Sequence, residues 1–192
     1  DNAIYQLAAD LQKFSSFEFP VQYSEQTLAS FKFTGQQIGG ELGAAMQRFA
    51  ENPKDAAAAA IIAADPEYVG TLRTTCVATM LSGGHAENAL PQLATATINC
   101  RIFPGVSVES VRLKIAEVIA DSGATVKEVG TSFTSDASPL RDDVLQAVRK
   151  AVDANFVGLP VIPSMSSGAT DSLYFRAQGI PSYGVSGAYV MP

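Results

Sequence analysis

Three segments carry side chains whose types and spacing suit chemistry. The first is Gly83-Gly84-His85-Ala86-Glu87-Asn88-Ala89-Leu90-Pro91. His85, Glu87 and Asn88 put a base, a carboxylate and an amide close together. The run is longer than a tight hairpin turn needs. Its glycines permit unusual backbone angles, and Pro91 stiffens the exit. A long polar loop on a rigid sheet is a common place for a site, although the same residues also make an ordinary surface loop. The second segment is Arg101, on the polar face of the strand that follows. Its guanidinium can grip a carboxylate through two parallel hydrogen bonds, or serve as a cross-strand ion pair or solvated charge. The third is Met165-Ser166-Ser167-Gly168-Ala169-Thr170-Asp171. Small residues and free amides at a helix start suit an anion, and Thr170 or Asp171 equally suits plain capping. The segment lacks the glycine spacing and lysine of a phosphate loop.

Hydrophobic spacing indicates the elements that must hold these segments. Ile4, Leu7, Ala8, Leu11 and Phe14 form one face of a helix over Asn2–Phe14, capped by Asp1 or Asn2. From Phe17 to Phe33 the chain is aromatic-rich, is broken by Pro20 and has no clear period. Ile38–Ala50 and Pro53–Ala64 read as helices, the second containing the alanine run 56–60. Two alternating runs then predict an antiparallel pair with one covered and one polar face. In Leu72–Leu81, Leu72, Cys76, Ala78 and Met80 face one side. In Ala94–Phe103, Ala94, Ala96, Ile98, Cys100 and Ile102 do so, with Thr95, Thr97, Asn99 and Arg101 opposite. Cys76 and Cys100 are expected as buried thiols, bridged only if the register sets them opposite each other. Ser107 caps a helix carrying Val108, Val111, Ile115, Val118 and Ile119, ended by Gly123. Ala124–Val129 reads as a strand. This order is a split βαβ, ferredoxin-like unit without its first strand.

A polar stretch, Thr131–Pro139, leads to a second unit. It comprises an amphipathic helix over Asp142–Phe156, a short strand over Val161–Met165, a helix over Asp171–Gln178 and a strand over Tyr183–Ser186. The fold class is therefore α/β (α+β).

Composition excludes several functions. The 192 residues carry 13 Lys and Arg against 19 Asp and Glu, a net charge of −6. No basic cluster is present to neutralise phosphates, so neither a nucleic acid nor a membrane surface is an expected partner. The longest apolar run, 56–64, falls short of the ~20 residues that span a bilayer. Two cysteines and one histidine are too few for a four-thiolate zinc site or an ordinary catalytic metal site. The chain opens at Asp1 with no Met and no signal-like segment, and we expect a piece of a longer protein. The compartment is left open.

Taken together, Gly83–Pro91 followed by Asn99-Cys100-Arg101-Ile102-Phe103-Pro104-Gly105 resembles the M20 family of zinc peptidases and amidohydrolases. The nearest branch is that of carboxypeptidase S and the N-acyl-amino-acid hydrolases. Ser164–Phe175, Gly179-Ile180-Pro181 and Tyr183-Gly184-Val185-Ser186-Gly187 are similar to that branch's late catalytic-domain signature. Asp1–Tyr5 resembles the opening of its first lid helix, and the likeness is least clear over 17–70.

The resemblance implies that residues 1–130 form most of a lid, or dimerisation, domain with a helical insertion near 18–70. Residues 131–192 would then be part of a catalytic domain. It implies a parent enzyme that cleaves a peptide or N-acyl amide next to a free carboxylate by metal-activated water, and a homodimer formed through the lid. The zinc ligands of the parent would lie outside this chain, so that no cofactor and no catalytic residue is expected within it and the chain alone would be inactive. His85 does not match the lid histidine. Asn88 matches the lid asparagine that reaches towards substrate, often in a partner subunit's site. Arg101 matches the arginine that binds the substrate carboxylate. Gly168, Ala169 and Thr170 match the loop at the substrate's carboxylate end. The alternative is a non-catalytic module for self-association, since open sheet edges favour pairing with another copy.

Overall fold

Asn2 starts the first helix, because its Oδ1 accepts from the amides of Ile4 and Tyr5 at 3.0 and 3.3 Å. This is a computed structural model, and it describes residues 2–121 and 123–186. Two units result, one of residues 1–20, 74–102 and 106–134 and one of residues 21–73, 103–105 and 135–192.

In the first unit, helix α1 (Ala3–Ser15) and helix α5 (Val108–Ile119) cover a hairpin of β1 (Thr75–Gly83) and β2 (Ala94–Arg101). The core joins Phe14 and Phe19 to Val111, Ile115 and Ile119, with Cys76, Ile98 and Cys100 beneath. Ser107 caps α5 by accepting from the Ser110 amide at 3.1 Å. The helix ends earlier than expected, at Ala120, whose φ of 49° is left-handed. Lys13 Nζ bridges Asp10 Oδ1 at 3.2 Å and the Ile119 carbonyl at 2.7 Å. One cation thus partners a buried carboxylate and the last carbonyl of α5.

β2 alternates as expected, and Arg101 lies on its exposed face. β1 does not keep its period. Ala78 pairs with Ile98 but Met80 pairs with Thr97, so Thr79 is an extra residue that shifts the register. The bulge moves Met80 off the covered face and brings Leu81 opposite Ala96. Cys76 stands opposite Cys100, and the two form a disulfide rather than free thiols. Among the described residues the sheet has two strands. Residues 124–129 form no strand, and the Val126 carbonyl accepts from Arg112 Nη1 at 3.0 Å instead. In a split βαβ unit the last strand pairs beside the first, and no described strand takes that place.

The second unit is built on α2 (Glu25–Ile38), α3 (Gly40–Glu51) and α4 (Ala56–Ala63), followed by a 3-10 turn at Val69–Thr71. Helix α2 occupies a stretch in which the sequence showed no period. Its buried positions Thr27, Phe31 and Gly35 keep helical spacing, but only one of the three is a large apolar side chain. Ser24 and Thr27 cap its start reciprocally. The core holds Phe31, Met46, Phe49, Ile62 and Leu72, with Ala58 and Ala59 of the alanine run. Two helices follow downstream, α6 (Asp142–Asn155) and the short α7 (Ser172–Arg176). Neither Val161–Met165 nor Tyr183–Ser186 is a strand. The Ser182 amide and carbonyl are both taken by the Ser138 hydroxyl, at 2.9 and 2.8 Å, which leaves them unavailable to a ladder. Gly187 lies outside the described residues.

Candidate functional site

The loop between β1 and β2 begins at Gly84, whose φ of 80° suits glycine alone. Its exit is tied to α1 by the Ala3 amide, which donates to the Pro91 carbonyl at 3.2 Å. Between these anchors His85, Glu87 and Asn88 are all exposed. Nothing in this loop builds a buried catalytic pair, and Asn88 presents its amide to solvent.

Arg101 is the last residue of β2, opposite Thr75. Gly83 and Ala94, next to the loop, mark the other end of the ladder. Seven strand steps separate Ala94 from Arg101, which is about 23 Å at ~3.3 Å per residue. Asn88 and Arg101 therefore stand at opposite ends of one hairpin. They share an element, but a single small ligand does not reach both within one chain.

Gly168, Ala169 and Thr170 are exposed in the second unit and precede α7. The Gly168 amide donates to Ser166 Oγ at 3.1 Å, and the Thr170 carbonyl accepts from the Leu173 amide at 3.1 Å. Neither Thr170 nor Asp171 caps the helix through its side chain. With five residues, α7 adds little dipole, so the turn offers backbone amides rather than a strong helix-end field.

Among the described residues no three of His, Cys, Asp and Glu come together to hold a metal ion. Both cysteines are in the disulfide. The described residues therefore do not fit a zinc centre. No described helix is long and apolar enough to cross a membrane.

Residues 1–126 match the family described as the peptidase dimerisation domain of the M20 peptidases. The human N-fatty-acyl-amino acid synthase/hydrolase PM20D1 is 25% identical over 191 residues, 97% of this chain and 38% of that protein. Mouse aminoacylase-1 is 28% identical over 130 residues, covering 64% of this chain and 31% of its own length. Probable carboxypeptidase S-like 1 of Dictyostelium discoideum is 26% identical over 116 residues, 59% of this chain and 24% of its own. The chain spans less than two fifths of the length of these curated relatives. No solved structure matches. With the dimerisation-domain match covering the α1–hairpin–α5 unit and the helical segment within it, the chain belongs to the M20 peptidase family.

Proposed function

We propose that this chain is the lid and a late catalytic-domain segment of a hydrolase that cleaves a peptide or N-acyl amide bond next to a free carboxylate. The observation that carries the reading is the similarity running through 97% of the chain, both units included, to an enzyme named as an N-fatty-acyl-amino acid synthase/hydrolase. In this reading residues 1–130 are the lid and 131–192 belong to the catalytic domain.

Its residues bind and orient; they do not carry out the bond cleavage. Arg101 pairs with the substrate carboxylate through its planar fork of donors. The turn Gly168-Ala169-Thr170 contacts the substrate's carboxylate end. Asn88, at the far end of the hairpin, serves the site of a second copy. Two features support self-association. Among the described residues both strands of the hairpin have an open edge, and Val77, Met80, Leu81, Leu90 and Leu93 are each more than 60% exposed. The groups that activate water lie on residues other than those described, and the 192-residue chain alone is expected to show no hydrolase turnover.

The test is Arg101→Ala in the complete hydrolase. Loss of one charge-assisted contact raises KM about tenfold to a hundredfold with kcat little changed. An unaltered KM means that Arg101 is only a surface charge.

A further inference from the structure

The second unit contains a cleft of about 350 Å³ whose walls bear mostly hydroxyl groups. Helix α2 supplies Ser30 and Thr34 beside the buried Phe31 ring. The turn before β1 supplies Glu67 and Tyr68, and the opposite wall includes Ser166 and Ser167. No lysine or arginine lines it.

The walls are fixed in place. An added Cβ at Gly70 would lie 2.9 Å from the Ser167 Cβ, so segment 164–167 rests directly on the 69–71 turn. Gln26 Nε2 of α2 donates to the Ser138 carbonyl at 2.6 Å, tying the helix to the downstream chain. The turn is braced by the Glu67 amide on Asp65 Oδ1 at 2.8 Å and by Thr71 Oγ1 on the Tyr68 carbonyl at 2.7 Å. Asp65 and Glu67 give this end of the cleft a negative field. Burial first, then those two carboxylates, push the Tyr68 phenol above its ordinary value.

Such a lining selects by chemistry. An anionic group would meet Glu67 and no cation. An apolar chain would find Phe31 and Met165 but would strip water from Glu67 and several hydroxyls and return no hydrogen bond. An ammonium group satisfies both the carboxylate and the hydroxyl oxygens, each of which accepts. We propose that this cleft is a specificity pocket for an ammonium-bearing side chain of the ligand, recognised by Glu67 and the surrounding serine and threonine hydroxyls. The proposal rests on the hydrolase reading, since the 168–170 turn that would hold the ligand's carboxylate end follows Ser167 directly.

The test follows backbone amide shifts of the 192-residue chain by NMR. The probes are N-acetyl-L-lysine, its neutral near-isostere N-acetyl-L-norleucine, and the carboxamide of each. The lysine probe should move the amides of 67–71 and 164–167 and bind roughly threefold to fivefold tighter than norleucine, as befits one pairing with an exposed carboxylate. Glu67→Gln should erase that preference without changing the unfolding midpoint. Equal or tighter binding of norleucine, or no movement of those amides by the lysine probe at tens of millimolar, overturns the proposal. If the lysine carboxamide binds as tightly as the acid, the carboxylate role of residues 168–170 fails while the pocket stands.

Discussion

The crossing of α2 and α3 depends on two glycines set against each other. A Cβ added at Gly43 would lie 2.5 Å from the Gly35 carbonyl oxygen, and one at Gly35 would lie 2.6 Å from that of Gly43. Both obstacles are backbone, so no rotamer change relieves them. Ordinary contact begins near 3.4 Å, and the helices would have to part by close to an ångström. Parting them loosens Phe31, Met46 and Phe49, all of which are at most 2% exposed. It also stretches the bond from Gln47 Nε2 of α3 to the Gly35 carbonyl of α2, now 3.1 Å. Overpacking of this kind costs ~1–3 kcal/mol, and the weakened bond adds about 1 kcal/mol. Alanine's better helix propensity returns ~0.8–1 kcal/mol. The net expectation for Gly43→Ala is a loss of about 1–3 kcal/mol. The assay is urea unfolding followed by far-UV circular dichroism, beside Ala44→Gly on the exposed side of the same helix. The control should lose only its propensity, roughly 1 kcal/mol. A Gly43→Ala protein more stable than the parent by about 1 kcal/mol would refute the close approach, because propensity would then be the only effect at work.

Two further outcomes are expected. The disulfide closes a loop with a sequence separation of 24, so replacing both Cys76 and Cys100 with Ala should cost about 3 kcal/mol on chain-entropy grounds; two titratable thiols in the unreduced protein would contradict the bridge. Asp55 caps α4 by accepting from the Ala58 amide and pairs with Arg48. These contacts, the amide first, hold its carboxyl below the ordinary value. A folded-state value below the unfolded one means that this stabilisation is present at neutral pH and lost as pH falls below about 4; the Tm difference between the parent and Asp55→Asn should shrink on acidification, and a constant difference would speak against the cap.

Legibility in the sequence followed burial chemistry. Helix α1 and strand β2 could be read because their covered positions are apolar at regular spacing, and the position of Arg101 followed from β2 alternation alone. Helix α2 was hidden because Thr27 and Gly35 hold buried positions where a pattern reader looks for large apolar side chains. The facing of Met80 was misread because a single bulge at Thr79 inverts every later side chain of β1, and nothing in the local composition marks it. The strands expected at 124–129, 161–165 and 183–186 have the right residues but no described strand beside them, and β propensity does not pair by itself. The hydroxyl cleft was invisible for another reason: its walls come from segments near 30, 67 and 166, and only the fold brings them together.

The hairpin makes the dimer question decidable. With Asn88 and Arg101 at opposite ends of an eight-residue strand's ladder, a site that uses both takes each from a different copy. Consider complete hydrolases carrying Asn88→Ala or Arg101→Ala, each impaired alone. In a mixed two-fold dimer one site would keep its own intact Arg101 and receive the intact Asn88 of its neighbour, while the other site would lack both. Random exchange of equal amounts makes half the dimers mixed, so mixing should restore about a quarter of the parental activity. If both residues acted within one chain, every site would still lack one of them and mixing would restore nothing. Recovery therefore tests the division of labour between copies without assuming which amide bond is cut, and absence of recovery under conditions of proven subunit exchange would assign both residues to one chain or to neither site.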